Sequence, residues 1–255
     1  MNKTVWLLLA FLLNACSENK QPTSLVFVPV LEHNIIKCNK AIMFQEGEWL
    51  ITQLQFFISN VEMLNKVGKW NSIPLMVTPE QTSTAALLGV NCLSKAQPNW
   101  QLTFSDNINV SEMKKIRFAV GLPFEVNHLN PLTQKSPLND SSMFWVWQTG
   151  HKFARIEMQS NSDNWLFHLG STGCKSPSVM RTPHQACLYP NLFTQEISIG
   201  TSKTIIFDLS SLIAKLTLTM ESSCQSKHTN KYCQQLFSNL TASGKHAIFR
   251  EKSHE

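Results

Sequence analysis

WLITQLQFFISNVEML, residues 49–64, is the stretch whose reading decides the fold. Apolar and polar residues alternate through it, and β-branched and aromatic residues dominate, which predicts one long strand or a bent pair of strands. Working outward, the same texture recurs in SLVFVPV (24–30), NWQLTFS (99–105), KKIRFAVGLP (114–123), FWVWQ (144–148), KFARIEMQ (152–159), NWLFHLGS (164–171), FTQEISI (193–199) and KTIIFDL (203–209). Turn-forming residues separate the runs at 65–68, 161–164 and 200–203. Helical pieces are few and late, LSSLIAKLTL (209–218) and CQQLFSNL (233–240). Many short strands joined by polar turns predict an all-β fold, an antiparallel β-sandwich with short late helices. The polar, proline-bearing stretch 127–142 reads as a long functional loop or a floppy one.

The chain opens MNKTVWLLLAFLLNAC. Lys3 followed by an apolar run of Val5 to Leu13 reads as a secretory signal over 1–15, since the run falls well short of the roughly 20 apolar residues that cross a bilayer. Leu13-Asn14-Ala15-Cys16 is similar to the lipobox of bacterial lipoproteins, which makes Cys16 the expected lipidation site and 16–24 a polar tether. By that resemblance, Ser17 after the cysteine implies the outer membrane rather than retention at the inner one. The expected address is therefore periplasmic and lipid-anchored, with a single domain over 25–255. The net charge of +5 is mild and scattered, with no basic run interleaved with aromatics, so nucleic acid is not an expected partner.

Apart from Cys16, six cysteines remain for an oxidising compartment: Cys38, Cys92, Cys174, Cys187, Cys224 and Cys233. Sequence leaves their connectivity open. Short loops close at low entropic cost, which favours Cys174 with Cys187 and Cys224 with Cys233, and so Cys38 with Cys92. A cysteine zinc site lacks its C-x2-C spacing.

Hydrolase, zinc-protease and nucleotide-binding signatures are absent, and carboxylates form no obvious acid/base pair, so no enzyme activity is expected. The aromatic run MFWVWQTGHKFARIEM (143–158) is the unusual feature. Read as a strand, it sets Met143, Trp145 and Trp147 on one face and Phe144, Val146 and Gln148 on the other. Trp49, Trp70, Trp100 and Trp165 read as core anchors. His128, His151, His168 and His33 lie on strand ends and turns, where each alone is more often structural than ligating.

The string from Phe118 to Met158, with FHLGSTGC (167–174), resembles the MbnP-like proteins, also described as the four-Cys-motif member of the metallo-mystery pair. The resemblance rests on Gly121-Leu122-Pro123-Phe124, Asn127-His128, Pro137-Leu138-Asn139, Met143 to Gln148, Lys152-Phe153-Ala154-Arg155 and His168 to Cys174; FFISNVEML (56–64) matches the family's early strand. The resemblance implies a copper-binding protein serving copper acquisition, storage or delivery. It also implies a di-haem partner enzyme of the MauG/MbnH type that oxidises one tryptophan to kynurenine. His128 and His168 match the family's histidines and are the expected first ligands, with Trp145 or Trp147 as the modified residue. His151 stands where the resemblance leads one to expect an aromatic residue, and is an extra ligand or a surface substitution. His33 is a weaker candidate outside the motif. Lys152 and Arg155 match family positions, where the plain reading is a salt bridge. The chemistry is coherent: an indole nitrogen only donates, whereas ring opening yields an amine and a ketone with lone pairs that join imidazole on copper. The competing reading is a β-sandwich that binds another ligand or protein, with both indoles in its core.

Overall fold

In the computed structural model, which describes residues 23–252 apart from 96, 106–107, 109–112 and 201, the 49–64 stretch lies in a single strand, β4 (Gly47–Leu64). It is also bent. Its pairing register shifts between Ile51 and Gln53 and again between Ser59 and Glu62, and Asn60 adopts φ 51°. Residues 53–59 are buried on both faces, so the apolar run Phe56-Phe57-Ile58 interrupts the alternation there and Gln53, Gln55 and Ser59 are buried polar groups. The signal segment, Cys16 and nearly all of the tether lie outside the described residues.

β4 is the spine of the larger sheet. It pairs antiparallel with β6 (Ala85–Asn91), β8 (Lys115–Val120) and β9 (Ala154–Gln159), and at its ends with β3 (Ile42–Phe44) and β5 (Trp70–Ser72). β10 (Asn164–Leu169) adds to β9, and β11 (Phe193–Ser198) adds to β8. The smaller sheet holds β1 (Ser24–Leu31), β2 (Asn34–Ile35), β7 (Gln101–Thr103), β12 (Thr204–Asp208) and β13 (Phe249–Glu251). Its β1–β12 pair is parallel, whereas the other pairs between these strands are antiparallel.

The core lies between the sheets. Phe27 of β1 meets Phe56 of β4 at 6.5 Å and Phe118 of β8 at 6.0 Å, both edge to face. Phe207 and Phe249 close on Phe56 at 5.1 and 5.6 Å. Burying each such ring contributes about 1.5–3 kcal/mol. Trp49 and Trp165 are core residues, and Trp100 packs partly buried against Phe56. Trp70 departs from expectation: it stays half-buried under the Arg117 guanidinium, 4.3 Å from the ring centroid.

All three expected disulfides form: Cys38–Cys92, Cys174–Cys187 and Cys224–Cys233. The first helical segment begins as α2 (Leu209–Leu212), and the second is α3 (Lys231–Leu240), capped by the Asn230 side chain on Tyr232 N and Cys233 N. The first contracts to this one turn because Lys215 turns left-handed (φ 66°) and Leu218 N is drawn to Gln45 Oε1. NWQLTFS likewise shortens to β7. No helix among the described residues is long and apolar enough to cross a membrane.

Candidate functional site

The outer face of the larger sheet is covered by the chain between β8 and β9. That segment is ordered by α1 (Phe124–Asn127) and by 3-10 turns at Pro131–Thr133 and Ser141–Met143, so 127–142 is a structured loop. The Asn130 and Asp140 side chains cap the two 3-10 turns.

FWVWQ is not a strand. Phe144 bridges His151, Trp145 N donates to Gly150 O at 3.0 Å, and the chain between folds into a tight turn. Long-range clamps override the local alternation. Asn127, with no exposed surface, donates from Nδ2 to Thr149 O (3.1 Å), and its Oδ1 accepts from His151 N (2.7 Å). Gly150 passes Asn127 with φ 76°, where a Cβ would lie 2.4 Å from Asn127 O. The two indoles therefore do not share a strand face. Trp147 meets Phe144 edge to face at 6.1 Å, while Trp145 lies over Gly170 and beside His168, ring centroids 6.3 Å apart. Both indoles are partly exposed and neither belongs to the core.

His168 sits on β10 directly opposite Arg155 of β9. Its Nε2 donates to Glu157 Oε1 at 2.7 Å, the diagonal neighbour on the same face. Arg155 grips the same carboxylate as a fork, Nε to Oε1 at 2.6 Å and Nη2 to Oε2 at 3.1 Å. The His168 hydrogen bond and then the Arg155 pair outweigh partial burial and hold the Glu157 pKa down to about 2. Arg155 Nη1 also reaches Ser142 O (3.1 Å), which accepts a second bond from Lys152 Nζ (2.9 Å). Arg155 thus makes the expected salt bridge. Lys152 does not; it is spent on a carbonyl, and burial lowers its pKa. The edge of β10 is fastened by the segment around Cys224: His168 N donates to Cys224 O and Ser226 Oγ to His168 O.

His128 follows α1 and is 9% exposed. Asn127 Nδ2 approaches its Nε2 at 3.2 Å, which makes Nε2 the acceptor, and Cys187 Sγ lies 3.5 Å from the same nitrogen. Nδ1 is buried with no hydrogen-bond partner. Burial pushes the His128 pKa down, against the opposing pull of the Trp147 main chain. The donor atoms of His128, Cys174 and Cys187 lie within 4.8 Å of one another, but both sulfurs are in a disulfide and offer no thiolate.

His151 is fully buried, so it is not a surface substitution. Its Nδ1 faces Asn127 O at 3.0 Å and its Nε2 faces Leu138 O at 2.8 Å, which leaves neither nitrogen open to a metal. Burial lowers its pKa against the pull of those carbonyls. Its ring packs edge to face on Phe57 and Phe144. His33 is exposed in the turn between β1 and β2, in the other sheet. Sequence reasoning missed two residues, Asn127 as the clamp of the indole turn and Glu157 as the partner of His168. The register of the β9–β10 hairpin about its 160–163 turn, which sets Arg155 opposite His168, was the available signal for the second.

The family model described as MbnP matches residues 20–227. The chain belongs to the MbnP family. A solved relative, MbnP from Methylosinus trichosporium, superposes with a TM-score of 0.70 at 20% identity, over 85% of this chain and 87% of that one; at this identity the likeness is one of fold. No curated protein sequence matches the chain. The MbnP match contains His128, Trp145, Trp147, His168, Cys174, Cys187 and Cys224, and ends before Cys233 and α3.

Proposed function

We propose that this MbnP-family protein binds copper through His128, His168 and a kynurenine made from Trp145. The modifying partner is a di-haem enzyme of the MauG type, and the role is copper acquisition, storage or delivery. The observation that carries the reading is the placement of Trp145, half-exposed, seated on Gly170 and beside His168. Trp147, packed on Phe144, lacks that neighbour.

The donor set suits the metal. His168 spends its Nε2 proton on Glu157, which leaves Nδ1 with its lone pair. His128 carries a buried ring nitrogen, Nδ1, with no hydrogen-bond partner; because Nε2 accepts from Asn127, Nδ1 holds the proton of the neutral ring, and ligation there requires that proton to move to Nε2 and the Asn127 contact to lapse. Burial favours its neutral form, the form that ligates. Neutral imidazoles and an arylamine are borderline donors of the type copper takes. An indole cannot supply that amine. Cleavage of its C2–C3 bond does, with the di-haem partner as catalyst and a peroxide or dioxygen as oxidant: two oxygens add across the bond, water then releases C2 as formate, and a ketone on C3 and a free arylamine remain. When bound, copper would supply redox and electron-transfer chemistry; the chain's own residues hold the donors and shape their lone pairs. The protein acts here as the substrate of its partner and as a carrier, anchored through a lipid on Cys16 at the periplasmic side of the outer membrane.

Peptide mass spectrometry on protein co-expressed with the partner enzyme tests this. The expected product is a peptide spanning 143–158 that has gained one oxygen and lost one carbon at Trp145, with Trp147 intact and copper retained. An unmodified Trp145 and no copper in protein made beside an active partner would overturn the reading.

A further inference from the structure

The geometry points to Arg155 and Glu157 as a positioning pair that sets both halves of the site: Glu157 fixes His168 with its proton on Nε2 and Nδ1 facing the metal, and Arg155 ties that carboxylate to the turn carrying Trp145. This rests on the copper reading above and names the atom through which His168 acts.

The path is continuous. His168 Nε2 donates to Glu157 Oε1 at 2.7 Å. Arg155 fixes the carboxylate by two bonds, at 2.6 and 3.1 Å. The remaining arm of the guanidinium reaches Ser142 O at 3.1 Å, in the 3-10 turn just before Phe144 and Trp145. Lys152 Nζ doubles the hold on that carbonyl at 2.9 Å. Sheet pairing makes the arrangement rigid, because Arg155 and His168 are directly opposed across β9 and β10, and Arg155 is opposed by Gln55 of β4 on its other side. A carboxylate that accepts two charged or polarised donors on one oxygen has little freedom to turn. It cannot donate, so the histidine nitrogen facing it must carry the proton. Carboxylate partners of metal-bound histidines act in this way, by fixing ring orientation and raising ligand basicity. None of the other described carboxylates hydrogen-bonds to a histidine. Arg155 adds what a simple histidine–carboxylate pair lacks, a link to the opposite wall of the site.

Two measurements test the pair, and only one requires copper. In uniformly 15N-labelled metal-free protein at pH 8, His168 should show an Nε2–H resonance shifted downfield and protected from exchange. It should persist in Glu157→Gln, which keeps an acceptor oxygen, and vanish in Glu157→Ala. A His168 proton on Nδ1, or an Nε2–H unchanged in Glu157→Ala, overturns the inference whatever the fate of the copper reading. In the second measurement, protein with its modified tryptophan is titrated with copper. Glu157→Ala should bind about 10–100-fold more weakly than native protein, with an altered copper spectrum, and Glu157→Gln should fall between. Arg155→Lys, which keeps charge but not the fork, should reduce tryptophan conversion as well as affinity. Native affinity in Glu157→Ala overturns the inference. If native protein and His168→Ala both bind no copper, the copper reading itself has failed, and the resonance measurement alone judges the tautomer.

Discussion

Replacing Gly170 with alanine asks whether the close seat of Trp145 on the backbone matters. A Cβ at Gly170 would lie 2.6 Å from Trp145 Cζ3 and 2.9 Å from His151 O. Something must retreat by about 0.8 Å to restore the 3.4 Å of ordinary contact. The His151 carbonyl belongs to a residue whose N–H is held by Asn127 Oδ1 and whose fully buried ring lies between the Asn127 and Leu138 carbonyls, so the indole is the part that yields. Overpacking of this kind costs about 1–3 kcal/mol. For a domain of this size that corresponds to a fall in Tm of roughly 2–12 °C. Gly170 has no positive φ, so the loss is steric and not one of backbone strain. The assay is thermal unfolding of metal-free Gly170→Ala beside native protein, with tryptophan emission recorded before the melt and kynurenine yield measured after exposure to the partner enzyme. A lowered Tm, shifted emission and reduced conversion at Trp145 are expected together. A variant with native Tm, native emission and full conversion would refute the claim that Trp145 needs this seat.

Asn127→Ala removes an acceptor from His151 N and a donor from Thr149 O inside a fully buried turn. Each abandoned group costs about 1–3 kcal/mol, and chemical denaturation should show a loss of roughly 3 kcal/mol with the aromatic turn loosened in near-ultraviolet circular dichroism. Stability should also fall in acid in two stages. His151 and His128 have folded pKa values below their ordinary 6.5, so the unfolded chain takes up protons first and stability begins to drop as pH falls below 6.5. Glu157, held at about 2 against an ordinary 4.5, adds a second loss that begins below 4.5 and is complete once pH passes 2. That second stage is worth at most roughly 3 kcal/mol, and denaturant midpoints measured across pH should show it in native protein and not in Glu157→Ala.

Much of the scaffold was legible in the sequence, for physical reasons that also mark the limit. The hairpin strands, and β4 before its doubly buried centre, carry their burial in their own alternation, and short cysteine spacings carry their pairing. The indole run misled because its alternation is real but its backbone is not free. Asn127, distant in sequence, takes the hydrogen bonds of Thr149 and His151 that a strand would have needed. His151 looked like a surface position because a turn residue between polar neighbours usually is one; the Phe57 and Phe144 rings that enclose it come from elsewhere. Glu157 escaped because its partner is set by hairpin register and not by spacing along one strand.

The parallel pairing of β1 with β12 bears on how the molecule is made. Val26 aligns with Thr204 and Val30 with Asp208, so the first described strand, which β2 and β7 join along one edge, gains its neighbour on the other edge only after nearly the whole chain is present. Antiparallel hairpins such as β9–β10 can form locally, but the smaller sheet cannot close until the late strands arrive. Contacts this distant in sequence slow folding and prolong the exposure of apolar edges. Phe27 can meet Phe56 and Phe118 early but waits for Phe249 to complete its ring cluster, and removing residues beyond β11 should leave β1 with one open edge ready to pair with another chain.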